Sequence, residues 1–360
     1  MLSGGGTGGH IFPAVAIANK IKEFHPNAEI LFVGALGRME MEKVPAAGYK
    51  IVGVPIAGLQ RKLSLSNLKL PFLLLKSIRQ TFQVMADFKP DAVVGTGGYA
   101  SAPLLYAAGI KKVPYLIQEQ NSFAGITNKL LAKKAGKICT AYEGMEQFFP
   151  AEKIMMTGNP VRKAIEECSG LKQEGITHFQ LHSGVKTILV IGGSLGARTV
   201  NQALLGGLEV LANSGVQVIW QTGKGFYEQA KQAAKPFAGK IQVFDFIARM
   251  DLAYAAADLV ISRAGASSVS EICLAGLPSV LVPSPNVAED HQTKNAMALV
   301  KKNATVLVKD NEASSQLIAE ALHIINDPTK LKELSNNAAA MAFRDSAGVI
   351  AKEVLKLAGF

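Results

Sequence analysis

Thr187-Ile188-Leu189-Val190-Ile191-Gly192-Gly193-Ser194-Leu195-Gly196-Ala197 runs from an apolar pentapeptide into a glycine turn, and residues 199–211 continue it at helical period. A short apolar run that ends in glycines and opens a helix reads as strand, loop and helix, the repeating unit of parallel α/β sheets. The pattern recurs along the chain. Strands are expected at 216–220, 259–261 and 279–282 downstream, and at 30–33, 92–94 and 114–117 upstream, with a further helix over 295–302.

Two halves echo each other. Gly4-Gly5-Gly6-Thr7-Gly8-Gly9-His10 opens the first, as the glycine turn at 192–197 follows the first strand of the second. Later in each half an Asp precedes a short strand and a loop of small residues. These are Asp91 to Gly95-Thr96-Gly97-Gly98-Tyr99, and Asp258 to Ser262-Arg263-Ala264-Gly265-Ala266-Ser267-Ser268. The expected fold class is therefore α/β, with two Rossmann-like doubly wound domains facing across a cleft. Their expected extents are 1–157, joined by a C-terminal helix at 343–360, and 158–342. The join falls at Thr157-Gly158-Asn159-Pro160, where Gly and Pro interrupt the periodicity. Only three residues precede Gly4, so the strand expected there is very short or cut by the start of the chain.

With 360 residues, 49% hydrophobic and 18% charged, the chain has apolar mass for more than one core, which excludes a disordered protein. Cys139, Cys168 and Cys273 stand far apart with no C-x-x-C pair, which argues against a disulfide framework or zinc site and for a reducing compartment. No signal peptide is expected from the first residues, and no apolar run approaches the roughly 20 residues of a membrane span. The expectation is a soluble or peripheral protein. Its formal charge of +10 is concentrated in the first half. Lys43, Lys50, Arg61, Lys62, Lys69, Lys76 and Arg79 fall between Glu42 and Asp87 with no acid among them. Lys111, Lys112, Lys129, Lys133, Lys134 and Lys137 are opposed only by Glu119. Such asymmetry suits anionic lipid or nucleic acid.

The first glycine loop matches G-x-G-x-x-G, but the second strand ends Val33-Gly34-Ala35-Leu36-Gly37-Arg38, without the acid that holds a dinucleotide ribose. A dehydrogenase is disfavoured on that ground. Bare glycine backbone at a helix start suits a phosphate or sugar, and the loop at 192–197 is a better diphosphate cradle than a plain turn.

Taken in order, the loops form a series. It comprises Gly5-Gly6-Thr7-Gly8-Gly9-His10-Ile11-Phe12-Pro13-Ala14, Gly97-Gly98-Tyr99-Ala100-Ser101-Ala102-Pro103, Gln118-Glu119-Gln120-Asn121 and Gly158-Asn159-Pro160-Val161-Arg162. It continues with Gly192-Gly193-Ser194-Leu195-Gly196-Ala197, Arg263-Ala264-Gly265-Ala266-Ser267-Ser268-Val269-Ser270-Glu271 and Asp290-His291-Gln292-Thr293-Lys294-Asn295-Ala296. This series closely resembles the MurG family of glycosyltransferases over essentially the whole chain. It departs at Gln118, where the family usually has His, and in its short start.

The resemblance implies a GT-B fold and an inverting transfer of N-acetylglucosamine (GlcNAc) from UDP-GlcNAc to the 4-hydroxyl of the muramoyl sugar of lipid I. The product, lipid II, feeds peptidoglycan synthesis and with it cell shape and division. One displacement with inversion needs a base for the acceptor hydroxyl and stabilisation of the departing UDP. His10 is the first candidate base, since imidazole titrates near neutral pH, and Glu119 is its rival. The resemblance assigns Thr7, Gly8, Gly9, Asn121, Arg162, Ser194, Ile247, Met250, Glu271, His291, Gln292 and Asn295 to the donor. Within that set Glu271 takes the ribose hydroxyls, Ser194 the diphosphate, and backbone at Phe246-Ile247 the uracil edge. His291, Gln292 and Asn295, at helical spacings, take the GlcNAc hydroxyls. Gly97, Gly98 and Tyr99 form the acceptor or diphosphate loop, where Thr7 or Tyr99 would orient the acceptor. Each also has a plain reading: Glu271 as a helix-start acid, Arg162 as a surface cation and Met250 as core. No D-x-D motif occurs, so no cofactor is expected and metal independence is.

Over 63–85, Leu68, Phe72, Leu75, Ile78, Phe82 and Met85 form a stripe expected to be core, while Leu65, Leu70, Leu73 and Leu74 lie off it beside Lys69, Lys76 and Arg79. That off-stripe surface is expected to meet anionic lipid on the cytoplasmic face of the inner membrane. Two alternatives remain at this stage: a related transferase with another lipid acceptor, and a non-catalytic UDP-sugar-binding protein at a membrane surface. Nucleic acid is not an expected partner, because it explains the charge and not the loops.

Overall fold

The computed structural model describes residues 1–56, 70–193 and 196–360. The chain forms two compact units, Met1–Val161 with Asp345–Phe360, and Arg162–Arg344.

The first unit is built on a seven-stranded sheet with every pairing parallel. Its strands are β1 (Leu2–Ser3), β2 (Leu31–Ala35), β3 (Lys50–Val54), β4 (Val93–Gly95), β5 (Tyr115–Glu119), β6 (Lys137–Thr140) and β7 (Ile154–Met156), in the order β3-β2-β1-β4-β5-β6-β7. Alternate residues leave opposite faces of a strand, and both faces here are covered. Leu2, Phe32, Val94, Leu116 and Cys139 pack under Ile11, Ala14, Ile17 and Ala18 of the helix Gly8–Phe24 and under Ile350, Ala351 and Val354 of the helix Ser346–Ala358. Their neighbours Val33, Val93, Tyr115, Ile117 and Ile138 pack on Met85, Leu104, Leu105, Ala107 and Ala108.

The second unit carries β8 (Thr187–Ile191), β9 (Gln217–Gln221), β10 (Ile241–Phe244), β11 (Leu259–Ser262), β12 (Ser279–Leu281) and β13 (Val306–Leu307). They form a parallel six-stranded sheet in the order β10-β9-β8-β11-β12-β13. Ile188, Val190, Val218, Trp220, Leu259, Ile261, Val280 and Val282 face one core with Val200, Leu204, Leu317, Ala321 and Ile324. Trp220 is fully buried there and donates its indole N–H to Asn201 Oδ1 at 3.0 Å.

Every expected strand forms. The strands that sequence reasoning missed, β3, β6, β7, β10 and β13, are short or interrupted. Gly53 breaks the apolar run of β3, and β13 spans only Val306–Leu307. Pairing to a neighbour supplies what propensity lacks. The single helix expected at 199–211 is two, Arg198–Gly206 and Leu208–Asn213. They part at Gly207, where an added Cβ would run into the Ile318 side chain. The helix expected at 295–302 begins four residues earlier, as His291–Val300.

The core stripe is corrected more sharply. On the helix Leu70–Phe88 the buried residues are Ser77, Thr81 and Met85, while Phe72 and Leu75 are 76% and 66% exposed and Leu74 is exposed beside them. Ser77 and Thr81 share the buried face with Met85, Phe82 packs partly buried against the same core, and Gln80 Nε2 donates to Gly53 O at 3.0 Å, while Phe72, Leu74 and Leu75 face outward. Leu65, Leu68 and Lys69, with Arg61 and Lys62, lie outside the described residues.

Burial pushes the Tyr115 hydroxyl and the Cys139 and Cys273 thiols up to about 12. These folded values exceed the ordinary 10.0 and 9.0, so the stability gained by keeping the groups neutral is complete below about pH 9 and lost as pH climbs toward 12. The denaturant midpoint is expected to hold up to about pH 9 and then fall steeply. A Cys139→Ala, Cys273→Ala double variant should fall less steeply, and an equal slope would contradict the assignment.

Candidate functional site

In a sheet ordered β3-β2-β1-β4-β5, crossovers leave in opposite directions from β1 and β4, and their carboxyl ends are where ligands of open α/β sheets bind. The loops there pack backbone on backbone. A Cβ on Gly98 (φ +75°) would collide with Gly5 O, and one on Gly4 with Thr96 Oγ1. Thr96, fully buried, donates from Oγ1 to His10 O at 2.7 Å. Ser3 Oγ bridges Val33 O and Ala100 O at 2.7 and 3.0 Å. Glu40, also fully buried, accepts from Gly6 N and Ala35 N at 3.0 Å each, so its carboxylate ties the first glycine loop to the end of β2.

His10 sits in the first turn of the helix Gly8–Phe24, after exposed Thr7 and half-buried Gly8 and Gly9. Gly97 (φ +97°) and Gly98 lie flat against its ring. A Cβ on Gly97 would reach Nδ1 at 3.0 Å, and one on Gly98 would reach Cδ2 at 3.3 Å. Nδ1 lies 2.9 Å from Thr96 O and 2.8 Å from Gln120 Oε1. Among the described residues no hydrogen bond to Nε2 is made. Tyr99 packs beside Gly6, and partial burial raises its hydroxyl above the ordinary value.

Glu119, at the end of β5, is differently placed. One oxygen accepts from Asn121 N at 3.1 Å and Asn121 Nδ2 at 3.3 Å, the other from Gly125 N at 3.0 Å and Asn128 Nδ2 at 2.8 Å. Its carboxylate organises the loop that presents Asn121. Gln118, Gln120 and Asn159 are buried together behind His10.

In the second unit the corresponding switch lies between β8 and β11. Gly192 and Gly193 follow β8, and Ser194 and Leu195 lie outside the described residues. Gly196 (φ +79°) approaches Thr222 so closely that a Cβ would strike its carbonyl oxygen. Gln221 spans the neighbourhood, donating to Gly193 O at 3.1 Å and accepting from Ile247 N at 3.0 Å. The Ile247 N–H is thus already engaged. Phe246 beside it is 53% exposed, while Met250 is buried.

Glu271 lies in the helix Ala266–Ala275, where Tyr254 donates to Oε2 at 3.0 Å and Arg162 Nη2 stands 3.4 Å from Oε1. Burial pushes this carboxyl above its ordinary 4.5, opposed by Arg162 and the Tyr254 hydrogen bond. The buried Tyr254 hydroxyl is raised well above 10.0, first by desolvation and then by Glu271. Arg263 Nη1 donates to Asp310 Oδ1, to Val282 O and to Pro283 O, and Thr199 Oγ1 donates to Asp310 Oδ2 at 3.1 Å. This network ties the loop after β11 to the helix after the 192–197 loop. His291, Gln292 and Asn295 share the start of the helix His291–Val300. His291 Nε2 is 3.4 Å from Glu289, Gln292 Oε1 accepts from Ser284 N at 2.8 Å, and Asn295 Nδ2 donates to Ala264 O at 3.3 Å.

Within each unit the described residues among those singled out from sequence gather at one end of the sheet. Sequence reasoning missed Glu40, Asn128, Tyr254 and Asp310. All four act through hydrogen bonds to distant positions, and no local pattern marks them. Among the described residues no group of three or more His, Cys, Asp and Glu side chains gathers as a metal cluster, and no helix is long and apolar enough to cross a membrane.

Residues 1–140 match the glycosyltransferase family 28 N-terminal domain and residues 187–350 its C-terminal domain. The chain is 58% identical, over 99% of its own length and 97% of the relative's, to a UDP-N-acetylglucosamine–N-acetylmuramyl-(pentapeptide) pyrophosphoryl-undecaprenol N-acetylglucosamine transferase of Parabacteroides distasonis. It is 57% identical to the Bacteroides fragilis protein of the same name, over 99% of this chain and 95% of that one. The crystal structure of Acinetobacter baumannii MurG superposes with a TM-score of 0.81 at 29% identity, covering 99% of both chains. A Neisseria meningitidis UDP-GlcNAc 2-epimerase shares the fold, at 14% identity and a TM-score of 0.66 over 99% of both chains. Two parallel Rossmann-like sheets, two matched domain models and more than half of all residues in common with such relatives make this chain a member of glycosyltransferase family 28, in its MurG branch.

Proposed function

We propose that this protein transfers GlcNAc from UDP-GlcNAc to lipid I, giving lipid II, and that His10 is the base. The observation that carries the assignment of the base is the contrast between two side chains. Nε2 of His10 makes no hydrogen bond among the described residues, whereas both oxygens of Glu119 are occupied by N–H donors. In the step, the 4-hydroxyl oxygen of the acceptor attacks the anomeric carbon from the face opposite UDP. Nε2 takes the hydroxyl proton, and the bond to the diphosphate breaks with its electron pair leaving on UDP, so configuration inverts.

In this reading the second unit holds the donor. Glu271, aligned by Tyr254 and Arg162, accepts from the ribose hydroxyls. The 192–197 loop takes the diphosphate, and Phe246, Ile247 and Met250 border the uracil. His291, Gln292 and Asn295 shape the GlcNAc pocket. In the first unit, Thr7, Gly8, Gly9 and Asn121 are read as donor-binding. Backbone N–H groups and helix N-termini meet the charge of the departing diphosphate without a resident metal. Gly97, Gly98 and Tyr99 border the acceptor.

The first unit meets the membrane in the same reading, as a peripheral protein on its cytoplasmic face. Phe72, Leu74 and Leu75 stand exposed with Lys76 and Arg79 on one helix, and Tyr106, Ile110, Lys111 and Lys112 are exposed on and just after the helix Ala102–Lys111 packed against it. Apolar insertion with basic flanks suits an anionic surface, each cation adding about 1 kcal/mol.

UDP release from UDP-GlcNAc in EDTA is expected only when a soluble lipid I analogue is added, and metal-dependent release would overturn the metal-free reading. His10→Ala should lower kcat by about 10² to 10⁴ while UDP-GlcNAc binding survives, and retained turnover would remove His10 as base. Glu271 has a folded pKa above its ordinary 4.5, so its linked stability is complete below about pH 4.5 and lost as pH rises through the folded value. Glu271→Gln should therefore stabilise the protein at neutral pH and raise the KM for UDP-GlcNAc at least about tenfold. An unchanged KM would count against ribose contact. Phe72→Ser with Leu75→Ser should weaken sedimentation with anionic vesicles and leave turnover of the soluble analogue intact. Undiminished sedimentation would place the membrane surface elsewhere.

A further inference from the structure

Behind His10 three buried amides form a chain whose direction is fixed at one end. Gln120 O, a backbone carbonyl that can only accept, receives Asn159 Nδ2 at 3.0 Å. Asn159 therefore turns Oδ1 toward Gln118 Nε2, at 3.0 Å. Gln118 in turn offers Oε1 to Gln120 Nε2, which also donates to Thr96 O at 2.6 Å and Gln118 O at 3.2 Å. Reversing the Gln120 amide would set its oxygen against three oxygens, so Oε1 faces His10 Nδ1 at 2.8 Å. Thr96 O, the second partner of Nδ1, also only accepts. Every polarity in the relay requires hydrogen on Nδ1.

We propose that Gln120, at the end of this Asn159–Gln118 relay, is a positioning residue that holds His10 in its Nδ1–H tautomer, with Nε2 directed at the acceptor hydroxyl. The inference rests on the reading of His10 as the base. A neutral imidazole left to itself exchanges between two tautomers, and the other one would present a hydrogen where an acceptor of protons is required. The carboxylates of the same region do not compete for the ring. Glu40 is bound to Gly6 N and Ala35 N, and Glu119 to the loop at 121–128. Tyr99, the phenol of the neighbouring loop, packs beside Gly6. The middle member of the relay, Gln118, is itself an amide. An amide there, unlike an imidazole, carries donor and acceptor on one carbon and passes polarity along without a proton of its own to lose.

The test is nitrogen-15 NMR of the full-length protein labelled at histidine, with the His10 resonances identified by their loss in His10→Ala. Above the imidazole titration, the wild type should show hydrogen on Nδ1 and a pyridine-like Nε2. Gln120→Met removes the oxygen but keeps the length. It should populate the Nε2–H tautomer and lower kcat about ten- to hundredfold, with the KM for UDP-GlcNAc unchanged. Hydrogen on Nε2 in the wild type would by itself overturn the proposal. A methionine variant with the wild-type spectrum and kcat overturns the proposal. If that variant does not fold, the wild-type spectrum decides, and hydrogen on Nε2 there overturns it. Wild-type turnover in His10→Ala would instead remove the base reading beneath it, whereas an inactive His10→Ala beside an unaltered Gln120→Met would sink this inference alone.

Discussion

At the carboxyl ends of β1 and β4 glycine backbone rests on the neighbouring loop closer than any Cβ permits, Gly98 over the Gly5 carbonyl and Gly4 over the Thr96 hydroxyl. The rest of the first unit's site follows from that approach. It brings Thr96 within reach of both the carbonyl and the ring of His10, and it leaves a slot in which Gly97 and Gly98 clamp the imidazole flat. The second unit repeats the device where Gly196 meets Thr222. Glycine in these loops thus serves packing first. The bare N–H groups that suit a phosphate are a by-product of the same missing side chain.

Three buried carboxylates show how differently one functional group can be used. Glu40 and Glu119 are met by backbone and amide N–H groups, so the cost of taking their charge out of water is largely offset by charge-assisted bonds. Glu271 receives one phenol at hydrogen-bonding distance and one guanidinium at 3.4 Å, and its carboxyl is pushed upward. The first two are fasteners. The third is a buried acceptor with capacity to spare, the condition under which a pair of sugar hydroxyls binds selectively.

The fold was largely legible because short apolar runs, several of them ending in glycine, mark the crossovers, and the strongest of them, at 187–197, needs no tertiary help. What escaped were elements whose existence depends on a neighbour. β13 spans two residues, β3 is interrupted by Gly53, and the helix at 198–213 breaks because Ile318 crowds Gly207. The helix at Leu70–Phe88 misled in the other direction. Its apolar stripe reads as one core face, yet Met85 is buried beside Ser77 and Thr81 while Phe72 and Leu75 stand exposed. In the site, loop motifs brought out the residues placed along continuous stretches. Glu40, Asn128, Tyr254 and Asp310 stayed hidden because their hydrogen bonds reach partners that only the folded chain brings near. Gln120 stood inside a quoted motif, but the polarity it transmits depends on Asn159, which arrives from the far side of the sheet.

The helix Ser346–Ala358 completes the core of the first unit, covering Ile11, Ile17 and Leu2 with Ile350, Ala351 and Val354, although all of residues 162–344 are translated before it. On the ribosome the N-terminal sheet must therefore wait with one flank uncovered while its partner unit is synthesised. At about 5 to 20 residues per second this lasts on the order of ten to forty seconds. Throughout that interval the apolar side chains of the helix Gly8–Phe24 lack the cover that Ile350, Ala351 and Val354 later supply. Vectorial synthesis, which lets most N-terminal domains fold first, here obliges the first-made half to finish last.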